Sequence, residues 1–541
     1  MHFFSLRFKI LASTFVFLGI LLIYLLWPLS SEKFAIRYDQ AKIRFKKDFL
    51  NTVVPASFDE KKRPNIIIIT ADDLGKTDIS LYGSPHVKTP HLDSLGFRGA
   101  VFTEGYVTSP ICSPSRAGML TGRYQQRFGY EVQPQRRYPH NRLEYYTFRY
   151  LMDIGDWVVS EQMSVPKQKD INKQGLPPSE ITLAEILKKN HYRTAIMGKW
   201  HLGEQMEFLP NQRGFDEQYG FYEAFSLYSP LDASGIVNQR LNEFTDDYIW
   251  DQGRKGPCAI RRNHEVVAEK EYLSFGIARE ANQFLEQNCD MPFFLYVPFN
   301  APHTPFQAPQ EYYDRFAHVE DKAKRIYYAM IAALDDAVGQ ILDKVRELGI
   351  EENTLICFAS DNGGAVYTGA TDNAPLKGGK FANFEGGINV PFMMQWKGVI
   401  PQGTVFEHPV SVLDFFATAV EVSSSELPQD RIYDGINLIP YLTGNKTGAP
   451  HQALYWKSGY NEAIRKNQWK LILNHRDQTV LLYDVVQDKI EQKNLANQYP
   501  QIVKELSHTL NAWKKGLASP LWPSVMHYRF VIGQETYFFA L

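Results

Sequence analysis

Cys112-Ser-Pro-Ser-Arg116 places a thiol, two hydroxyls and a guanidinium within one short stretch. Pro114 and Ser115 suit a first helical turn, so Cys112 is expected at the N-terminus of a helix, where free N–H groups and the helix dipole favour negative charge. Arg116 follows about one turn later, and its guanidinium can swing back toward the same anion as a fork of donors. The chemistry open to this stretch is anion binding beside a reactive sulfur. A buried thiol in a turn is the plain alternative, since free cysteine is often simply packed away.

Other chemically able residues fall at the ends of apolar runs. Arg63 to Asp73 (RPNIIIITADD) reads as a buried parallel strand ending in Asp72 and Asp73. Open α/β sheets bind ligands at the carboxyl ends of their strands, although such a pair can also cap the next turn. The strand expected from Tyr192 to Met197 runs into Gly198-Lys-Trp-His-Leu-Gly203. There Lys199 and His201 would project to the same side of an extended backbone. Pro292 to Phe299 ends in Asn300-Ala-Pro-His303, and Thr354 to Ala359 ends in Asp361-Asn-Gly-Gly364. Asp72, Asp73, Asp361 and Asn362 offer only oxygen, the donor set for Ca²⁺ rather than Zn²⁺.

With these residues in view, the chain resembles the type I sulfatases. Their signature, C-x-P-S-R-x-x-x-L-T-G, is filled from Cys112 through Leu120, Thr121 and Gly122. Gly-Lys-Trp-His-Leu-Gly is a second recurrent block of that family and lies downstream, in family order. Pro375-Leu-Lys-Gly-Gly-Lys380, ahead of Glu385-Gly-Gly387 and Val390-Pro391, resembles a third, in which Lys380 is the match and Lys377 holds a site often occupied by Arg. The resemblance implies an alkaline-phosphatase-like α/β fold: a mixed, largely parallel sheet sandwiched by helices, with a small C-terminal antiparallel-sheet-plus-helix subdomain. It implies Ca²⁺ held by Asp72, Asp73, Asp361, Asn362 and the residue at position 112. It also implies oxidation of Cys112 to formylglycine (3-oxoalanine) by a formylglycine-generating or equivalent maturation enzyme.

In such a site the hydrated aldehyde attacks sulfur, and Arg116, Lys199 and Lys380 offset charge on the sulfuryl oxygens. His303 would protonate the leaving alcohol, and His201 would take the proton whose loss expels sulfate. Superfamily relatives that cleave phosphate or phosphonate esters usually carry Thr or Ser at the nucleophile position, but a minority use formylglycine. A phosphonate or phosphodiester hydrolase is therefore the alternative enzyme, and a pseudo-enzyme that binds sulfated glycans without cleaving them is the non-enzymatic one.

The rest of the chain must position these groups. Its 541 residues, 44% hydrophobic, suffice for a large core and more than one domain. A net charge of −2 and the lack of zinc-type cysteine pairs argue against nucleic acid as a partner. Four segments are expected: 1–31, a membrane anchor or signal; 32–62, a juxtamembrane linker; 63–449, the catalytic domain; 450–541, a subdomain with an aromatic tail. Ile10 to Leu29 carries no charge, is about long enough to span a bilayer and shows no clear cleavage site, which favours an anchor. Arg7 and Lys9 precede it and a longer basic run follows, so charge sets no orientation. The catalytic domain is expected outside the cytoplasm, at the periplasm or cell surface, or secreted if the segment is cleaved.

Residues 321–348 read as one long packing helix. Cys357 reads as a core thiol, while Cys258 and Cys289 could pair or stay free. Between Gln125 and Tyr150, arginines alternate with tyrosines, a pattern that suits sugar stacking and anion pairing or, equally, a packed surface loop. With the export segment, this insert points to a sulfated polysaccharide substrate of carrageenan, ulvan or glycosaminoglycan type. The aromatic tail from Trp522 to Phe539 carries no reading from sequence.

Overall fold

Ile66 and Ile68 enter one hydrophobic core while Ile67 and Ile69 enter another, because successive side chains of a strand point to opposite faces. Their strand, Asn65–Asp72, is the middle of a ten-stranded sheet and is buried along its whole length. The computed structural model describes residues 2–52 and 63–541; Met1 of the expected anchor and residues 53–62 of the expected linker lie outside the described residues.

Phe293–Pro302 and Thr354–Ser360 flank the central strand, both parallel to it. Arg193–Lys199 and then Glu217–Phe221 continue the parallel run on one side. On the other side Phe392–Gln395 is antiparallel, followed by Ala100–Phe102 and Thr404–Phe406. Helices cover both faces, as a sheet buried on both sides requires. The long helix Lys322–Glu347 buries Ile326, Met330, Leu334, Ala337, Ile341 and Val345 on one face, the stripe expected from sequence. On the opposite face lie the helices Cys112–Thr121, Leu183–Lys189 and Leu413–Val422.

Behind this sheet, Leu454–Ser458, Asn461–Lys466, Trp469–Asn474 and Thr479–Asp484 form an antiparallel sheet, against which Pro500–Lys514 packs through Leu506 and Leu510. The fold is thus the mixed, largely parallel architecture with a C-terminal antiparallel subdomain that the resemblance implies.

A turn on Thr103 and Glu104 separates the short strands Ala100–Phe102 and Gly105–Tyr106. In the C-terminal sheet, Asn461–Lys466 and Trp469–Asn474 form a hairpin turned at Asn467 with φ 52°. All four cysteine thiols are free, and Cys357 is buried in the core as expected.

The segment after the N-terminal helix His2–Leu26 packs onto the domain. Leu29 and Ile36 are buried, and within the helix Gln40–Thr52 the Lys46 ammonium lies 2.6 Å from Glu185.

The aromatic tail forms a hairpin, Met526–Ile532 with Glu535–Ala540, whose first strand pairs antiparallel with Trp157–Val159. His527 is buried there against Tyr460, and its Nδ1 lacks a hydrogen-bond partner. Burial first, then Arg476 and Arg149, lower its pKa from 6.5 to about 4. The unfolded chain takes up this proton near pH 6.5 and the folded chain only near 4, so His527 favours folding above pH 6.5 and loses that contribution, on the order of 3 kcal/mol, as pH falls toward 4. Melting temperatures at pH 7.5 and 4.5 check this. His527→Phe is expected to drop less between the two than the parent chain, and an equal drop would contradict it.

Candidate active site

Asp72, Lys199, His303 and Asp361 all stand at or just beyond the carboxyl ends of neighbouring parallel strands, where open α/β sheets bind ligands. The register explains their meeting: Ala71 pairs with Ser360 and Asp72 with Pro302. Cys112 is the first residue of its ten-residue helix, as its Pro and Ser neighbours predict, with Ile111 as an extended cap. Its Sγ lies 3.3 Å from Asp72 Oδ1 and 3.7 Å from Asp73 Oδ1.

Three cations face three carboxylates around this sulfur. Lys199 Nζ is 2.5 Å from Asp72 Oδ2, and Lys380 Nζ is 2.9 Å from Asp73 Oδ2. Arg116 grips Asp361 Oδ2 through Nε and a terminal nitrogen, both at 2.7 Å, and donates to the Lys199 carbonyl at 3.1 Å. All six are buried. Burial pushes the Asp73 carboxyl up, but Lys380 and His303 outweigh it and hold the group below the usual range. Burial, then the neighbouring Asp72 charge, raises Asp361 to about 6. The carboxylates therefore repel one another and are only partly compensated.

A cation fits this cluster. The Asn362 Oδ1 is buried without a hydrogen-bond partner, while its Nδ2 donates to Asp73 Oδ1 at 2.7 Å. An oxygen orphaned beside three clustered carboxylates is a polar group awaiting a positive partner. Ligand atoms of Asp72, Asp73, Cys112 and His303 also lie within 4.8 Å of one another.

Both histidines reach the site. His303 Nε2 is 3.7 Å from Asp73 Oδ2, and its Nδ1 lies 2.6 Å from the Thr304 carbonyl, which can only accept, so Nδ1 carries the proton. Tyr228 donates to the carbonyls of Asn300 and His303 and fixes that loop. Burial, then Lys380, lower His303 to about 3.

His201 arrives by a different route from the one expected. The strand stops at Lys199 and His201 has φ 57°, a left-handed turn, so extended alternation does not place it. Its carbonyl is held by Ser113 Oγ at 2.6 Å, and its ring lines the same cavity as His303. Gly198 makes the turn possible: at φ +137° a Cβ there would stand 2.0 Å from the Pro298 carbonyl oxygen. Asp73 is also left-handed, at φ 64°. Phe381 on the cavity wall, at φ 82°, is a third, and positive-φ non-glycine residues gathered in one site are the kind of backbone that functional sites retain.

The cavity above the cluster has a volume of about 250 Å³. Cys112, His201, His303 and Lys380 line it, together with a mostly apolar wall that includes Trp157, Phe244, Tyr248, Phe381 and Met526. Sequence reading missed this wall. Trp157 meets Phe381 and Tyr528 of the tail edge-on, and those two rings tilt against each other, so the uninterpreted tail closes one side of the site. The Arg/Tyr insert divides between its two readings. Arg127 pairs with Asp434, and Tyr130 and Tyr138 are buried, whereas Arg136 and Arg137 line the cavity. Arg136 pairs with Glu204 and Glu223; Arg137 lies 4.1 Å over the Tyr248 ring.

A parallel sheet with a cation-ready carboxylate cluster and a helix-start residue at its carboxyl edge is the layout of the alkaline-phosphatase-like hydrolases. A family model described as Sulfatase matches residues 64–424, and one described as N-sulphoglucosamine sulphohydrolase, C-terminal, matches residues 379–516. The chain belongs to the sulfatase family and is a sulfuric ester hydrolase. N-acetylgalactosamine-6-sulfatase of Canis lupus familiaris is 31% identical over 414 residues, covering 75% of this chain and 71% of that protein. Steryl-sulfatase of Homo sapiens is 30% identical over 465 residues, covering 74% of each. Among solved structures, Ps i-CgsB in complex with k-i-k-neocarrahexaose superposes with a TM-score of 0.71 at 31% identity, covering 85% of this chain and 94% of that one.

Proposed function

We propose that this protein is a formylglycine- and calcium-dependent sulfatase that removes sulfate from a sulfated polysaccharide or its oligosaccharides, working outside the cytoplasm from an N-terminal membrane anchor. The observation that carries the reaction is the position of Cys112, at the floor of the cavity, facing two carboxylates and flanked by Lys380, His201 and His303. As a thiol it is a poor nucleophile there. Burial first, then the Asp361 charge, raise its pKa well above the ordinary value, and the thiolate is the reactive form. Oxidised by a maturation enzyme to formylglycine and hydrated beside Ca²⁺, the same position would supply a hydroxyl nucleophile of lowered pKa.

Asp72, Asp73, Asp361 and Asn362 would hold the cation. Lys380, on the cavity wall, and Lys199, paired with Asp72 beside it, would offset charge on the sulfuryl oxygens, and Arg116 anchors Asp361 and the Lys199 backbone. His303, with Nδ1–H tied to Thr304, turns Nε2 toward the site. A bound sulfate ester brings the negative charge that raises this imidazole's pKa, so His303 can hold a proton for the leaving alcohol. His201, whose Nδ1 is unpartnered and whose pKa burial and Lys199 keep low, stands as the base of the second half-reaction.

The carbohydrate assignment draws on the relatives named for galactosamine sulfate and on the neighbour bound to a neocarrahexaose. It also draws on a wall that can stack sugar rings and on Arg137, which makes no ion pair among the described residues. The apolar character of that wall, and the steryl-sulfatase relative, favour a compact amphiphilic sulfate ester as the second reading. Sulfate release across sulfated galactans, ulvan and glycosaminoglycans, beside a nitrophenyl sulfate and a phosphate diester, decides between them. Turnover on at least one glycan is expected. Turnover of the aryl sulfate alone would overturn the carbohydrate reading, and preferential diester cleavage would promote the phosphohydrolase.

Arg137 gives a sharper handle. A guanidinium on the cavity wall that stacks on Tyr248 and makes no ion pair among the described residues suits a second anionic group of a glycan, so Arg137→Ala is expected to raise KM on multiply sulfated oligosaccharides by about tenfold, the value of one charge-assisted hydrogen bond. The kcat should change little, because the contact is the same in ground and transition states. An unchanged KM would remove Arg137 from substrate recognition.

A further inference from the structure

The helix Arg142–Tyr150 exposes apolar side chains that the reaction does not use. Leu143 is 44% exposed, Tyr150 67% and Leu151 80%. Leu143, Tyr146 and Tyr150 fall at i, i+3 and i+7, a single stripe on a helix, and the Tyr146 and Tyr150 rings stack 6.1 Å apart. Such a stripe on a soluble surface needs a partner.

Its position names one. The N-terminal helix is apolar over Phe8–Leu26, with mean hydropathy 2.3, and none of that stretch is buried against the protein. At 1.5 Å per residue its 19 residues span about 28 Å, close to the ~30 Å hydrocarbon core of a bilayer. Its far end is tied to the start of helix Arg142–Tyr150. Leu29 N donates to the His140 carbonyl at 3.1 Å, Pro28 bridges Asn141, and the hydroxyls of Tyr24 and Tyr146 are 3.2 Å apart. The Arg142 guanidinium lies 4.6 Å over the Tyr24 ring. Tyr24 and the exposed Trp27 stand where aromatic residues mark the headgroup level of a membrane. The tyrosine stripe therefore begins at that level.

We propose that Arg142–Tyr150, with Leu151 and Met152 behind it, is a second membrane contact. It lies in the interfacial layer of the bilayer entered by the N-terminal helix, and it rests on reading that helix as an anchor. Arg142 makes no ion pair among the described residues and suits lipid phosphate, while the leucines and tyrosines suit the acyl boundary. The seat also sets the active site. Phe148 packs edge-on against Phe244 at 6.2 Å, and Phe244 lines the catalytic cavity. Two contacts fix an orientation where one would leave the domain free to swivel, so the cavity mouth is held close to the lipid surface.

The test uses the full-length chain carrying Cys289→Ser, in nanodiscs of phosphatidylcholine and phosphatidylglycerol. Nitroxide labels are placed one at a time at Val16→Cys in the span, Leu143→Cys, Leu151→Cys and Val531→Cys on the exposed tail. Relaxation by oxygen, which concentrates in lipid, is compared with relaxation by a water-soluble nickel chelate. Labels at 143 and 151 are expected to resemble the label at 16, with an oxygen-to-nickel ratio several-fold above that at 531. If 143 and 151 match 531 while 16 reports lipid, the seat is wrong and the anchor stands. If 16 matches 531 as well, anchor and seat fall together.

Discussion

Cys112→Ala is expected to lower sulfate release by at least about 10³-fold, the scale set by losing a covalent nucleophile from an otherwise intact site. Lys199, Lys380 and both histidines would still surround the substrate, so binding should survive better than turnover. Folding should be nearly untouched: Ala removes one sulfur at the first position of a helix whose cap and later turns are unchanged. Cys112→Ser is the more telling variant. Serine offers one hydroxyl where a hydrated aldehyde offers two, so it is expected to support at most a single turnover. Full steady-state activity in either variant, measured with an unchanged melting temperature, would remove position 112 from the chemistry.

Loss of the cation should be as damaging. Asp72, Asp73 and Asp361 are buried together, with the Asn362 oxygen orphaned beside them. Chelation is therefore expected to abolish sulfate release, and Ca²⁺ to restore it, while Zn²⁺ should not. Asp73→Asn removes a charge and leaves Lys380 buried without its carboxylate at 2.9 Å. It should cost at least about 10³-fold in activity and cancel the rise in melting temperature that Ca²⁺ confers on the parent chain through binding only the folded state. Zn²⁺ reactivation, or a Ca²⁺ response undiminished in Asp73→Asn, would contradict the ligand reading.

The parts of this site that were legible in the sequence are those written locally. The isoleucine run before Asp72, the Pro–Ser turn after Cys112 and the apolar stripe of the long helix each carry their own period or cap, and each forms where expected. The signature blocks supplied Lys199, His201 and Lys380, which no spacing rule would have joined across so much chain. His201 shows the limit of spacing: its side chain reaches the cavity through a left-handed turn that alternation does not foresee. The cavity wall was illegible for a different reason. Trp157 meets Tyr528 because the short strand Trp157–Val159 pairs with the far C-terminal hairpin, a contact without local periodic signature. Arg127, Arg136 and Arg137 look alike in sequence, yet the first is spent on Asp434, the second on two glutamates, and the third stands over a tyrosine.

The central claim is that position 112 works as an oxidised cysteine. Mass spectrometry of the peptide spanning Cys112–Arg116, taken from protein whose sulfate release has just been measured, tests it most directly. The account predicts the aldehyde, or its hydrate, in proportion to activity across preparations made with and without a maturation enzyme. Unmodified thiol throughout a fully active preparation would contradict it.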